Sequence, residues 1–295
     1  CPWIDPEPEP VDAGDLDRLV DELRLLELDA ALVFTSFHQS ALPTALALRL
    51  AGVGWVGAIS EDYPGSLLDL RHHVDDDLPE AERALSLAAA AGLSLPDADD
   101  GALRLRTPLP PRSRFVGSRP YIVLHPGTSV PARAWPDFRF RECCEELLGL
   151  GWQVVVTGAP SERGLTGRVT AGTAACDLGG ATTLPELASV LAGAAAVVVA
   201  NTGPAHLAAA VGAPVVSLFA PTVPAVRWAP YKTPHVLLGD QRAACRDSRA
   251  TRCPTPGHPC LTDVTAADVV EAIDGLVDET AVVPLHRRKR KELAG

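Results

Sequence analysis

Three times after residue 120 of this chain an apolar run stops on a glycine-bearing polar break and a helical pattern resumes. The stretches are YIVLHPGTS (Tyr121 to Ser129), QVVVTGAPSE (Gln153 to Glu162) and AVVVANTGPAH (Ala196 to His206). Runs of four or five β-branched and aliphatic residues bounded this way read as strands buried on both faces, and the helical patterns between them read as crossovers. Strand, break, helix and strand again allows little but a doubly wound parallel sheet. All carboxyl ends of such a sheet lie on one edge, so the three polar breaks converge there.

The rhythm extends along the chain. Residues 11–28 place Leu16, Leu19, Val20, Leu23 and Leu26 at helical spacing between acids, and 29–35 read as a buried strand. A helix is expected over 40–51, a strand over 55–59 and a helix over 85–91, with 60–83 acidic and irregular. Residues 95–114, rich in proline and charge, read as a linker. Beyond it come strand 121–125, helix 138–150, strand 153–157, a helix starting at Thr183 or Leu184, strand 196–200, a short helix after Gly203 and strand 215–219. The expected domains are 1–110, 111–275 and a tail over 276–295.

At 295 residues the chain exceeds what one core usually serves, which also favours two domains. Its net charge of −11 is unevenly placed: residues 1–100 hold 21 acids and 5 bases (21 − 5, net −16), and the remainder 16 acids and 21 bases (net +5). Five of those bases are the run Arg287 to Lys291, a candidate contact for anionic lipid or a solvated terminus. A broad nucleic-acid face is excluded by this balance. No apolar stretch reaches the ~18 residues of a membrane span. Seven cysteines, with Cys143 and Cys144 adjacent, do not form a disulfide framework, so a reducing, cytoplasmic setting is expected. The chain contains no methionine, and its natural start is expected upstream of Cys1.

Each break offers chemistry. In Asn201 to His206, Gly203 permits close backbone approach and Pro204 suits a first helical turn, so free N–H groups and the helix dipole would face an anion. Thr202 would cap that helix or bond a phosphate oxygen, and His206 would reach the same ligand or serve as an ordinary histidine. The HPGTS break adds Thr128, Ser129 and the cation Arg133, suited to a diphosphate or else a surface arginine. In the TGAPSE break Glu162 could accept from a ribose diol or act as a helix-start acid. A Gly-x-Gly-x-x-Gly or Gly-Lys-Ser/Thr signature is lacking, which disfavours dinucleotide reductases and P-loop NTPases. Cys245, Cys253, His258 and Cys260 are zinc-type ligands, but without a Cys-x-x-Cys hairpin and among three prolines they are read as a packed loop.

The order HPGTS…RAWP, TGAPSE, DLGGATTLPELASVLAGA and ANTGPAHLAAAVGAPVVSLFAPT resembles the nucleotide-sugar half of family 9 glycosyltransferases, the bacterial heptosyltransferases of lipopolysaccharide assembly. The likeness is strong over residues 120–275 and looser over 1–110. It implies a GT-B architecture, two Rossmann-like parallel-sheet domains with an interdomain cleft, the first one incomplete here. It implies inverting, metal-independent transfer from a nucleotide-diphosphate sugar to a cell-envelope glycan or glycolipid, with no cofactor. By position Thr128, Ser129 and Arg133 would hold the diphosphate, Arg133 standing where the family has lysine. Glu162 would bind ribose, and Thr202, Gly203 and His206 would meet diphosphate and sugar. Asn201 stands where the family has aspartate. The family's catalytic aspartate follows an apolar strand in a Gly-Asp motif, whereas Gly14-Asp15 follows Glu-Pro repeats. Asp15 is therefore read as a helix-start acid, the base is expected upstream, and no catalytic residue is assigned. A non-catalytic nucleotide-binding domain and a sugar-nucleotide epimerase of the same fold are the competing readings.

Overall fold

The computed structural model describes residues 10–36, 39–74 and 77–279. The opening CPWIDPEPE and the basic run Arg287 to Lys291 lie outside the described residues. The chain divides into two compact units, 1–101 and 102–295.

In the first unit, helix α1 (Ala13–Leu25) starts where Asp12 adopts an extended backbone and its carboxylate accepts the Asp15 N–H at 3.1 Å. Asp15 lies in that first turn with its carboxylate paired to Arg18 one turn on, the helix-start role its surroundings suggest. Strand β1 (Ala30–Val33), helix α2 (Leu42–Leu50) and strand β2 (Trp55–Ile59) follow, with β3 (Leu70–His72) and α3 (Glu80–Ala90) after them. The three strands are parallel in the order β1-β2-β3. Val33, Ala45, Leu48, Val56, Ala58 and Leu68 form the core between sheet and helices. Strand β3 was hidden in the acidic stretch because its three residues, including Arg71 and His72, carry no apolar alternation. Helix α3 begins five residues ahead of the expected Leu85, since Pro79 sets an extended entry and Glu80 and Glu82 suit the positive end of a first turn.

The second unit holds β4 (Tyr121–His125), α4 (Asp137–Gly149), β5 (Gln153–Gly158), α5 (Arg163–Thr170) and β6 (Cys176–Gly179). Then come α6 (Leu184–Ala192), β7 (Ala196–Ala200), α7 (Gly203–Ala210), β8 (Val215–Leu218), α8 (Ala225–Trp228), β9 (His235–Leu238), α9 (Pro259–Thr262) and α10 (Ala266–Glu279). All six strands run parallel in the order β6-β5-β4-β7-β8-β9. Alternate residues of each strand feed opposite faces. Ile122, Leu124, Val154, Val156 and Val198 pack with Phe140, Leu147, Val269, Ile273 and Val277 of α4 and α10. Tyr121, Val123, Val155, Val197 and Val199 pack with Val190, Leu191, Ala205 and Ala208 of α6 and α7. Truncating a fully buried side chain such as Phe140 to alanine costs about 3–5 kcal/mol.

This strand order fixes the site. From β4 the chain winds outward through β5 and β6, then returns to lay β7 on the other side of β4 and winds away through β8 and β9. The reversal between β4 and β7 opens a crevice at their carboxyl ends, flanked by the HPGTS and NTGPAH breaks. Among the described residues no helix is long and apolar enough to cross a membrane.

Candidate functional site at the sheet reversal

Helices α6 and α7 begin differently, and the difference marks the site. At α6 the Glu186 carboxylate accepts the N–H and hydroxyl of Thr183, at 2.9 and 2.8 Å, closing a reciprocal cap. At α7 Thr202 occupies the cap position with an extended backbone, yet its hydroxyl donates back to the Ala200 carbonyl at 3.4 Å and caps nothing. The first turn of α7 thus faces the crevice without a side-chain cap, the arrangement that favours an anion. Gly203 is exposed there, and a Cβ on it would meet no atom of the described residues within 4 Å.

Asn201, at the end of β7, is only 5% exposed, and neither its amide nitrogen nor its amide oxygen has a hydrogen-bond partner among the described residues. A buried primary amide left with a free donor and a free acceptor is costly, and such groups mark ligand sites. Its backbone carbonyl accepts from Arg133 Nη1 at 3.2 Å. Arg133 lies in a single 3-10 turn, Pro131–Arg133, after β4, and its buried Nε also lacks a partner. Burial lowers the Arg133 pKa; the guanidinium stays cationic because arginine titrates so far above neutrality. The breaks after β4 and β7 are therefore bonded to each other across the crevice.

The β4 and β5 breaks also meet. Gly127 is buried, and a Cβ there would overlap the Glu162 carboxylate. Glu162 is held by the Ala159 N–H, which donates to Oε2 at 2.7 Å, and its Oε2 lies 4.0 Å from His125 Nε2. His125 is buried with Nδ1 2.9 Å from the Thr157 hydroxyl. Burial drives its pKa below the usual histidine value, although the Glu162 charge opposes this, so the imidazole is neutral at pH 7. Thr128 accepts the Val130 N–H at 3.2 Å in a local turn, and Ser129 is exposed on the same loop.

His206, in the first turn of α7, is half-buried with its pKa lowered by burial, and its ring stands edge-on to Trp228 of α8 at 6.5 Å between centroids. Of the expected residues, Arg133 and Asn201 are bonded to each other, with Thr202, Gly203 and His206 continuing from Asn201, while Glu162 packs against Gly127 on the HPGTS loop that also carries Thr128 and Ser129.

Two features went unread in the sequence. Thr222, past β8, is 1% exposed with an unpartnered hydroxyl among the described residues; the FAPT break after VVSL carried the same strand-end signal as the others. His125 was visible as the last residue of its strand, but only the fold brings Thr157 to it. The cysteines of the last loop do approach one another: burial, then the neighbouring Cys245 and Cys253 thiols, push Cys260 up to about 12. Among the described residues no group of three or more His, Cys, Asp or Glu side chains is arranged to hold a metal ion.

Known proteins give this geometry a lineage. Residues 16–256 match the profile of glycosyltransferase family 9 (heptosyltransferase). Lipopolysaccharide heptosyltransferase 1 of Pseudomonas aeruginosa is 39% identical over 153 residues, an alignment spanning 49% of this chain and 41% of that protein. Lipopolysaccharide heptosyltransferase 2 of Salmonella typhimurium is 26% identical over 92% of this chain and 82% of its own. The solved structure of Escherichia coli ADP-heptose lps heptosyltransferase II superposes with a TM-score of 0.68 at 23% identity, covering 94% of this chain and 86% of that one. The parallel α/β architecture is therefore that of the GT-B heptosyltransferase structures, and this chain belongs to glycosyltransferase family 9.

Proposed function

We propose that the second unit binds a nucleotide-diphosphate sugar across the sheet reversal and that the protein transfers heptose or a related sugar to a cell-envelope glycan or glycolipid, with inversion and without a metal. The observation that carries this reading is the pairing of Arg133 with the Asn201 carbonyl beside the uncapped start of α7. A fixed cation and a helix N-terminus together suit a diphosphate. As the sugar leaves, negative charge grows on the phosphate oxygen, and these preorganised groups would stabilise it where other transferases use a divalent cation. Thr128 and Ser129 add hydroxyl donors, and Glu162 accepts from the ribose. The acceptor oxygen bonds to the anomeric carbon as the bond to phosphate breaks on the opposite face, and its proton passes to a base that no described residue is assigned to be. Action at the inner membrane surface from a cytoplasmic location fits the acceptor class.

Calorimetric titration of the whole chain with nucleoside diphosphates and nucleotide sugars tests the reading, repeated with a chelator. Binding that the chelator leaves unchanged is expected; no binding by any of them at millimolar concentration overturns it. A second reading, nucleotide binding without transfer, is favoured by Asp15, whose carboxylate is tied to Arg18 in a helix turn. Donor binding with no turnover on any acceptor would select it.

A further inference from the structure

The imidazole of His125 stands between two elements that carry the site. Leu124 and Val156 are paired between β4 and β5, and the next residue of each strand meets its neighbour through the side chain. His125 Nδ1 lies 2.9 Å from the Thr157 hydroxyl, with both residues buried. The other ring nitrogen, Nε2, faces Glu162 Oε2 at 4.0 Å. These two neighbours fix where the ring hydrogen sits. With hydrogen on Nδ1, the ring would donate to Thr157, leave that hydroxyl's own hydrogen without an acceptor among the described residues, and turn a lone pair on Nε2 toward a carboxylate. With hydrogen on Nε2, Thr157 donates to Nδ1 and the N–H dipole meets the negative charge, so this tautomer is the stable one.

Glu162 is in turn arranged to make one ligand contact. Its carboxylate occupies a notch left open by two glycines: a Cβ on Gly127 would overlap it, and one on Gly158 would lie 3.2 Å from Oε2. Oε2 takes the Ala159 N–H at 2.7 Å and faces His125, whereas Oε1 accepts no hydrogen bond from the described residues. At 4.0 Å the imidazole N–H acts on Oε2 as a dipole on a charge. A carboxylate with one oxygen held from two sides presents the other in a set direction. We propose that His125 is a positioning residue whose Nε2–H orients Glu162 for the ribose diol, so that the site takes ribonucleotide sugars in preference to deoxyribonucleotide ones. A ligand without the diol leaves the oriented oxygen with no donor, which is the strong form of discrimination against an analogue. The inference rests on the ribose role given to Glu162 above.

The test titrates the whole chain with ADP, CDP, GDP and UDP and with the 2′,3′-dideoxy form of each, and reads the ratio of the two affinities. In the unaltered chain the diol form is expected to bind about 10–150-fold more tightly, the range of a hydrogen bond to a charged group. The carboxamide nitrogen of glutamine reaches as far as imidazole Nε2, and that of asparagine only as far as Nδ1. His125→Asn is therefore expected to cut the ratio roughly fivefold, while His125→Gln, which keeps a donor toward Glu162, holds it within about twofold. A ratio unchanged in His125→Asn overturns the inference, because a purely structural role weakens both ligands together; so does an equal fall in His125→Gln. Nitrogen-15 resonances of the His125 ring in the unaltered chain test the same point with no variant to fold: hydrogen on Nε2 is expected, and hydrogen on Nδ1 overturns it. Glu162→Ala separates the two readings. A ratio lost there but kept in His125→Asn ends only the role of His125. A ratio kept in Glu162→Ala, or an unaltered chain that binds none of the diphosphates or does not tell the two forms apart, ends the ribose reading and this inference with it.

Discussion

Arg133 shows how one side chain can be both structural and chemical. Its bond to the Asn201 carbonyl ties two strand ends together, yet its buried Nε is unspent on the protein. Arg133→Ala is expected to weaken nucleoside diphosphate binding by about 10–150-fold, the range of a lost charge-assisted hydrogen bond, and to leave nucleoside binding nearly unchanged. Calorimetry with the two ligands checks this, and equal losses would make Arg133 a purely structural residue. The histidines make a prediction in pH. Burial lowers the folded pKa of both His125 and His206 below the ordinary value of 6.5. Between that value and the lower folded ones the unfolded chain binds more protons, so stability is full above about pH 6.5 and declines as pH falls through the folded values. Thermal melts across this range should show the decline, and His206→Gln should make it shallower. At this scale the sequence was generous with residue type and poor in partners. Arg133 and Asn201, 68 positions apart, each announced a polar strand end, but their bond exists only because β4 and β7 are neighbours.

Two glycines in neighbouring elements predict opposite behaviour. A Cβ on Gly127 would displace the end of the flexible Glu162 side chain, whereas one on Gly203 would meet open space. Gly127→Ala should therefore weaken nucleoside and nucleoside diphosphate alike, by roughly tenfold, through the shifted carboxylate. Gly203→Val should leave nucleoside binding intact and abolish the gain from the phosphates by blocking approach to the start of α7. Both variants should melt near the parent, and a single shared pattern of loss would contradict the division of the site into two ends. The elements themselves were readable where burial was symmetric: β4, β5, β7 and β8 are buried on both faces and mostly apolar, and stood out as runs. The edge strands β6 and β9 did not, because partial exposure leaves CDLG and HVLL too short and too mixed to register. Helix α10 was cut by a domain boundary drawn at 275, although Val269, Val270, Ile273, Leu276 and Val277 fall on one face and are buried.

Across the whole molecule, the doubly wound topology followed from alternation alone, because parallel strands require crossovers whatever the residues at their ends. The order of strands did not, since it depends on which side of β4 the returning β7 packs. The course of residues 239–252 escaped for the same reason, since their bonds to Phe219, Pro221, Thr222 and Ala132 join segments that only the finished sheet brings together. Asn201 carries a thermodynamic consequence. A fold that buries a free amide donor and acceptor is less stable than it could be, and a ligand supplying both partners returns that difference as resistance to unfolding. Asn201→Leu, similar in volume, is expected to raise the melting temperature of the unliganded protein while destroying its response to donor. The parent should instead gain about 2.7 kcal/mol at a hundredfold excess of ligand over Kd, read as a dose-dependent rise in Tm. A protein built this way reports its own occupancy through its heat stability, so a melting curve alone can rank sugar nucleotides before any acceptor is known.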